Sequence, residues 1–152
     1  MRMAIGSDER THVTDAVVDH LRGVGIDVEL HGPLNDRPMD WVDVGREVGE
    51  RVASGACGQG VLFCWTGTGV SIAANKVPGI RAALCADAET ARGARRWNDA
   101  NVLVMSLRAT PEAVAKEICD AWLETGPDEA ERATIAKVES PHPAFAQSGR
   151  ES

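Results

Sequence analysis

A single α/β domain on a doubly wound sheet of five parallel strands is the fold this sequence predicts, and three observations predict it. Five short apolar runs alternate with segments of helical periodicity, the rhythm of repeated βαβ units whose parallel neighbours need crossover connections. A length of 152 residues with 43% hydrophobic content fills one core and is too short for two comfortable ones. The third apolar run ends in a glycine-rich turn that opens a helix, and such sheets bind ligands at the carboxyl ends of their strands.

In chain order, Met3-Ala4-Ile5 reads as the first strand, Val13 to Val24 as a helix, and Ile26 to Leu30 as the second strand. Gly32 to Pro38 is a turn-rich loop leading to Asp40-Trp41, and Trp41 to Ala53 is the next helix. Gly60-Val61-Leu62-Phe63 has the continuous apolar character of a buried parallel strand ending at Cys64, with Ser71 a suitable cap for a helix running to Lys76. Arg81 to Cys85 forms the fourth strand, Ala88 to Trp97 a helix and Val102 to Met105 the fifth strand. Thr110-Pro111, with Glu112 in the first turn, starts a helix to Leu123. Gly126-Pro127 breaks the chain before a last helix, Asp128 to Val138. The arrangement is Rossmann-like, one domain over residues 1–139, with a polar tail at 140–152 that lacks an apolar pattern.

Composition narrows the partners. A net charge of −7, with sixteen Lys and Arg scattered among acidic residues, argues against a nucleic-acid surface and for small molecules. No apolar span reaches the length of a membrane helix and no signal peptide is expected, so the expected compartment is the cytoplasm. Cys57, Cys64, Cys85 and Cys119 have neither zinc-ligand nor disulfide spacing. His12, His20, His31 and His142 lie far apart and read as surface or loop residues, so no metal and no cofactor are expected.

The residues that follow the strands should share one crevice: Gly6 to Arg10, Cys64 to Gly69, Ala86-Asp87 and Ser106-Leu107-Arg108. Cys64 stands at a strand end beside a helix start, and a helix N-terminus favours the thiolate. Gly67, Thr68 and Gly69 can converge backbone N–H groups on an anion. A base beside an anion hole suits proton abstraction next to a carbonyl. The alternative for Cys64 is a small core hydrophobe, and for Asp8 a helix cap instead of a ligand contact. The turn is neither a dinucleotide fingerprint, which would need glycine at Ile72, nor a P-loop, which would need Gly-Lys-Ser/Thr at Asn75-Lys76-Val77.

The motif Cys64-x-Thr66-Gly67-x-Gly69-x-Ser71-Ile72-Ala73-Ala74-Asn75-Lys76 is followed by Gly79-Ile80-Arg81-Ala82-Ala83-Leu84-Cys85 and Asn98-Asp99-Ala100-Asn101-Val102-Leu103. Together they resemble the ribose-5-phosphate isomerase B / galactose-6-phosphate isomerase family over Met3 to about Leu123. The resemblance implies a metal-independent aldose–ketose isomerase working through a cis-enediolate. It implies that Cys64 is the base, Thr66 assists proton transfer, Gly67 and Gly69 belong to the anion hole, and Asp8 contacts substrate hydroxyls. Asn98 would act from across a dimer interface. The implied unit is a homodimer or tetramer with the site between subunits, and a C-terminal helix and tail reaching the partner.

Departures from the family pattern bear on the substrate. Trp97 stands where the family has a ring-opening histidine, and Glu9 where it has a histidine associated with phosphate. Arg10 could substitute, and Arg132 is the nearest candidate for the family's C-terminal arginine pair. Trp41, Trp65 and Trp97 fall at matched site positions and either wall the pocket or pack the interface. The expected function is isomerisation of a short or atypical sugar phosphate. The alternatives are a non-catalytic sugar- or anion-binding module, or an isomerase or epimerase of a specialised sugar.

Overall fold

A computed structural model describes residues 1–141. Five strands, β1 (Arg2–Ser7), β2 (Asp27–His31), β3 (Gln59–Cys64), β4 (Ala82–Leu84) and β5 (Val102–Ser106), form one parallel sheet in the order β2-β1-β3-β5-β4. The helices are α1 (His12–Gly23), α2 (Trp41–Ala53), α3 (Thr68–Asn75), α4 (Ala88–Asn98), α5 (Glu112–Leu123) and α6 (Arg132–Glu139). The expected doubly wound sheet is therefore present.

Strand alternation divides the core between the two sheet faces. Met3, Ile5, Val61, Phe63, Leu103 and Met105 face one cluster, shared with α1, α4 and α5. Ala4, Leu62, Cys64, Val102 and Val104 face the other, shared with Val44 and Val48 of α2 and Val70 and Ala74 of α3. Cys64 thus points to the α2/α3 side. In the first cluster Trp122 is the largest fully buried side chain, its Nε1 donating to Gln59 Oε1 at 2.9 Å and the Arg95 guanidinium lying 5.4 Å from its ring centre.

Several local expectations change. Thr11 caps α1, its hydroxyl accepting from the Val13 and Thr14 N–H groups, so Asp8 is not that cap. α3 begins at Thr68 after Gly67, which has φ of +79°, and Ser71 lies a turn inside the helix with its Oγ buried and unpartnered. A left-handed residue can redirect the chain within one step, and only glycine does so without steric cost. β4 is shorter than its apolar run, and the last helix splits into a 3₁₀ turn, Glu129–Glu131, and α6. α6 buries no residue, but Glu139 Oε1 accepts from Arg81 Nη1 at 2.8 Å and its Oε2 from the Gly79 N–H at 3.2 Å. The tail from 142 onward, and His142, lie outside the described residues. Within residues 1–141, no helix is long and apolar enough to cross a membrane, and all four cysteines are free and buried.

His31 corrects another expectation: it is buried, not superficial. Its Nε2 lies 2.8 Å from Glu29 Oε1 and its Nδ1 3.0 Å from Glu47 Oε2. Arg51 donates twice to Glu29 at 2.7 Å, and this pair, with His31 adding, holds the Glu29 carboxyl down to about 2 against the cost of its burial. A lowered carboxyl favours the fold above its unfolded value of 4.5, and that contribution is lost as pH falls through about 2. Glu29→Gln is accordingly expected to cost about 2–3 kcal/mol near pH 7 and almost nothing near pH 2. Urea unfolding across that range checks it.

Candidate active site

The sheet's winding reverses beside β1, since the chain moves outward to β2 and then crosses back to β3. Ligands in such sheets sit at the carboxyl ends of the strands flanking that reversal, which are Ser7–Arg10 and Cys64–Gly69 here. Ser7 is fully buried; its Oγ donates to the Glu9 carbonyl at 2.5 Å and accepts from the Glu9 N–H at 3.1 Å, bracketing Asp8. Burial raises the Asp8 carboxyl above the usual range, and the charges of Glu9 and Asp40 add to this while its own backbone N–H opposes it. A half-buried acid facing other acids is suited to hydroxyl groups and poorly suited to phosphate.

On β3, Cys64 is 5% exposed and touches the Leu62, Val70 and Ala74 side of the core. Its carbonyl accepts from the Leu107 N–H at 3.0 Å, which ties the strand end to the β5–α5 connection. No side chain caps α3, and among the described residues the N–H groups of Gly67, Thr68 and Gly69 have no partner. That leaves the positive end of a helix and its donors open beside the thiol. The Thr66 and Thr68 hydroxyls lie 2.8 Å apart over the same turn.

Two tryptophans border this turn. A Cβ on Gly69 would come within 2.8 Å of Trp41 Cε3, so the Trp41 ring lies directly against the start of α3. Trp65 is 57% exposed, while its carbonyl accepts from Ser106 Oγ and the Arg108 N–H, both at 2.9 Å. Its backbone is fixed and its ring is free. Asp8, Trp41, Cys64, Trp65, Thr66, Gly67, Thr68 and Gly69 therefore share one edge of the sheet, with Glu9 exposed beside Asp8.

The other expected residues do not join them within one chain. Trp97 and Asn98 end α4, three residues before Asn101, whose carbonyl accepts from the Gly60 N–H at the start of β3. That is the amino edge, separated from Cys64 by the length of a strand, about 20 Å. The Trp97 ring folds over Gly93, where a Cβ would lie 2.8 Å from Cζ3. Arg132 is paired with Glu129 at 2.6 Å in a small cleft with Asp99 and Asp128, on the same side as Asn98. Arg10 is on the Cys64 edge and exposed, and its Nε donates to Asp15 Oδ1 at 2.9 Å. Arg108 was not assigned a role from sequence, yet it is exposed, adjoins Trp65 and has no ion pair among the described residues. Its place immediately after β5 was the available signal.

A family model described as Ribose/Galactose Isomerase matches residues 3–139. The chain belongs to this family. The aldose–ketose isomerase class implied by the Cys64–Lys76 motif stands with it. The chain is 40% identical over 107 residues to ribose-5-phosphate isomerase B of Escherichia coli, covering 70% of this chain and 72% of that one. It is 35% identical over 127 residues to D-erythrulose-4-phosphate isomerase of Pectobacterium atrosepticum, covering 82% and 83%. Among solved structures, ribose-5-phosphate isomerase B of Clostridium thermocellum superposes with a TM-score of 0.86 at 35% identity, covering 97% of this chain and 99% of the other. The family members' likeness thus extends over the sheet, the α3 turn and the helices, beyond the motif alone.

Proposed function

We propose that this isomerase interconverts an aldose phosphate and a ketose phosphate through a cis-enediolate, without a metal, using Cys64 as the base. The observation that carries the proposal is the placing of a thiol at the end of β3 beside the uncapped start of α3. In that reading Cys64 takes the C2 proton and returns it to C1. The oxyanion that forms lies against the Gly67, Thr68 and Gly69 amides, and each such donor is worth about 3–4 kcal/mol at the transition state. The paired hydroxyls of Thr66 and Thr68 carry the proton exchanged between O1 and O2. Asp8 accepts from a substrate hydroxyl. Asn98, Trp97 and Arg132 approach from a second copy of the chain, since their own Cys64 is on the opposite edge.

We further propose a four- or five-carbon phosphosugar as the substrate, taken in open-chain form. Trp97 supplies no imidazole for ring opening, and a relative named for a four-carbon substrate supports the short chain. Proton NMR in deuterated water with erythrulose 4-phosphate, ribose 5-phosphate and galactose 6-phosphate tests both statements. Solvent deuterium at C1 or C2 is expected, fastest with the four-carbon sugar. No deuterium from any of the three would end the isomerase reading, and fastest exchange with the hexose phosphate would end the short-chain one.

Arg108 is a cation on the Cys64 edge with no ion pair among the described residues, and a phosphate there gains a charge-assisted bond. Arg108→Ala is expected to raise KM about tenfold with kcat within about twofold, the pattern of lost binding without lost transition-state contact. Initial rates over a range of substrate concentrations separate the two constants.

A further inference from the structure

The loop between β2 and α2 walls the crevice over Asp8. Its Pro33, Asp36, Pro38 and Met39 line with Asp8 an open cleft of about 440 Å³. The His31 cluster sits at the start of this loop and reaches Glu47, in the second turn of the helix that follows it. His31, the last residue of β2, spans Glu29 on its own strand and Glu47 on α2, at 2.8 and 3.0 Å. Arg51 fixes Glu29, while Arg37 within the loop lies 3.6 Å from Glu47 and Arg2 of β1 lies 3.9 Å from Glu29. His31 is buried with both ring nitrogens partnered, while the carboxylates and arginines around it are partly exposed, and a partnered buried polar group of this kind specifies one arrangement more than it stabilises it.

A contiguous path leads from this cluster to the crevice. Gly32 follows His31 with φ of +67°, and a Cβ there would sit 2.8 Å from the Ser7 carbonyl oxygen. The loop therefore starts pressed against the residue whose hydroxyl brackets Asp8. Cys64 has a different environment, among Leu62, Val70 and Ala74, and among the described residues no hydrogen bond or ion pair joins it to the cluster. We propose that His31 is a positioning residue: by tying β2 to α2 through Glu29 and Glu47 it holds the Gly32–Asp40 loop against Asp8 and so sets affinity for the sugar. This rests on the crevice being the substrate site, as proposed above.

The test uses His31→Ala, Glu47→Gln and the double variant in the full chain. Hydrogen exchange of the amides between Gly32 and Asp40 reports the loop, calorimetric Kd for ribose 5-phosphate reports affinity, and KM and kcat report turnover. Expected for His31→Ala are loop exchange at least about tenfold faster, Kd and KM about tenfold higher and kcat within about twofold, with the double variant no worse. Unchanged loop exchange, or a fall in kcat at constant KM, overturns the proposal. Should His31→Ala fail to fold, Glu47→Gln decides on the same readouts, with smaller shifts expected in the same direction. The same readouts are taken with erythrulose 4-phosphate. A wild type that binds one of the two sugars but turns over none of the three named above refutes the isomerase reading and leaves exchange and Kd to judge His31. A wild type that binds neither sugar refutes the affinity role as well.

Discussion

Cys64→Ala is expected to lower kcat by about 10²–10⁴-fold while leaving the fold intact, the range over which a positioned proton-transfer group contributes. The substitution removes one sulfur from a well-packed side of the core, a small loss beside the catalytic one. Ligand affinity should persist in either case, so the loss of turnover is what distinguishes an enzyme from a binding module, which has no turnover to lose. Asn98→Ala should also be impaired, and the two variants together are more telling than either. Asn98 and Cys64 lie on opposite edges of the sheet, so a site using both draws them from different chains. Subunits of the two variants reassembled at random should recover about a quarter of wild-type activity, since half the symmetric dimers are mixed and each mixed dimer carries one intact site. No recovery after verified subunit exchange would contradict a site shared between chains.

Trp122→Ala is expected to destabilise the domain by about 3–5 kcal/mol, read from urea denaturation at constant slope. The ring is 1% exposed and fills the core between the sheet and α5. Its loss also leaves Gln59 Oε1 without its donor and removes the ring beneath the Arg95 guanidinium, which keeps its bonds to Asp99, Ala100 and Thr125. Trp122→Phe keeps an aromatic face for Arg95 and loses only the Gln59 bond and some volume, so it should cost about half as much or less. Equal losses for the two variants would mean that neither cavity nor ring governs this region.

The α/β alternation was legible because each strand is a short apolar run and each crossover carries its own period. The glycine turn after β3 was legible because its residues are contiguous. What the one-dimensional pattern hid was set by contacts between distant elements. His31 looks like a loop histidine until Glu29 and Glu47 close on it from β2 and α2. Ser71 has the chemistry of a cap, but the positive φ of Gly67 lets α3 start earlier. Arg10 looks free in sequence and is claimed by Asp15, while Arg108 gains its place only when β5 pairs with β3. Asn98 was read as a match to the motif and Arg132 as the nearest candidate for its arginine pair, and only the sheet reveals which edge they occupy.

The tryptophans give the molecule an optical property. With no tyrosine and two phenylalanines, its near-ultraviolet emission comes from four indoles. Trp122 is sealed in the core, whereas Trp41, Trp65 and Trp97 are about half exposed, two beside the Cys64 turn and one at the far end of α4. The buried indole reports unfolding, and the three exposed ones report whatever settles over the two edges of the sheet. A blue shift before any unfolding would therefore mark a ligand or a second chain arriving, and the higher unfolding midpoint that such binding brings is read as Trp122 becomes exposed, so that occupancy and stability can both be followed in one unlabelled cuvette.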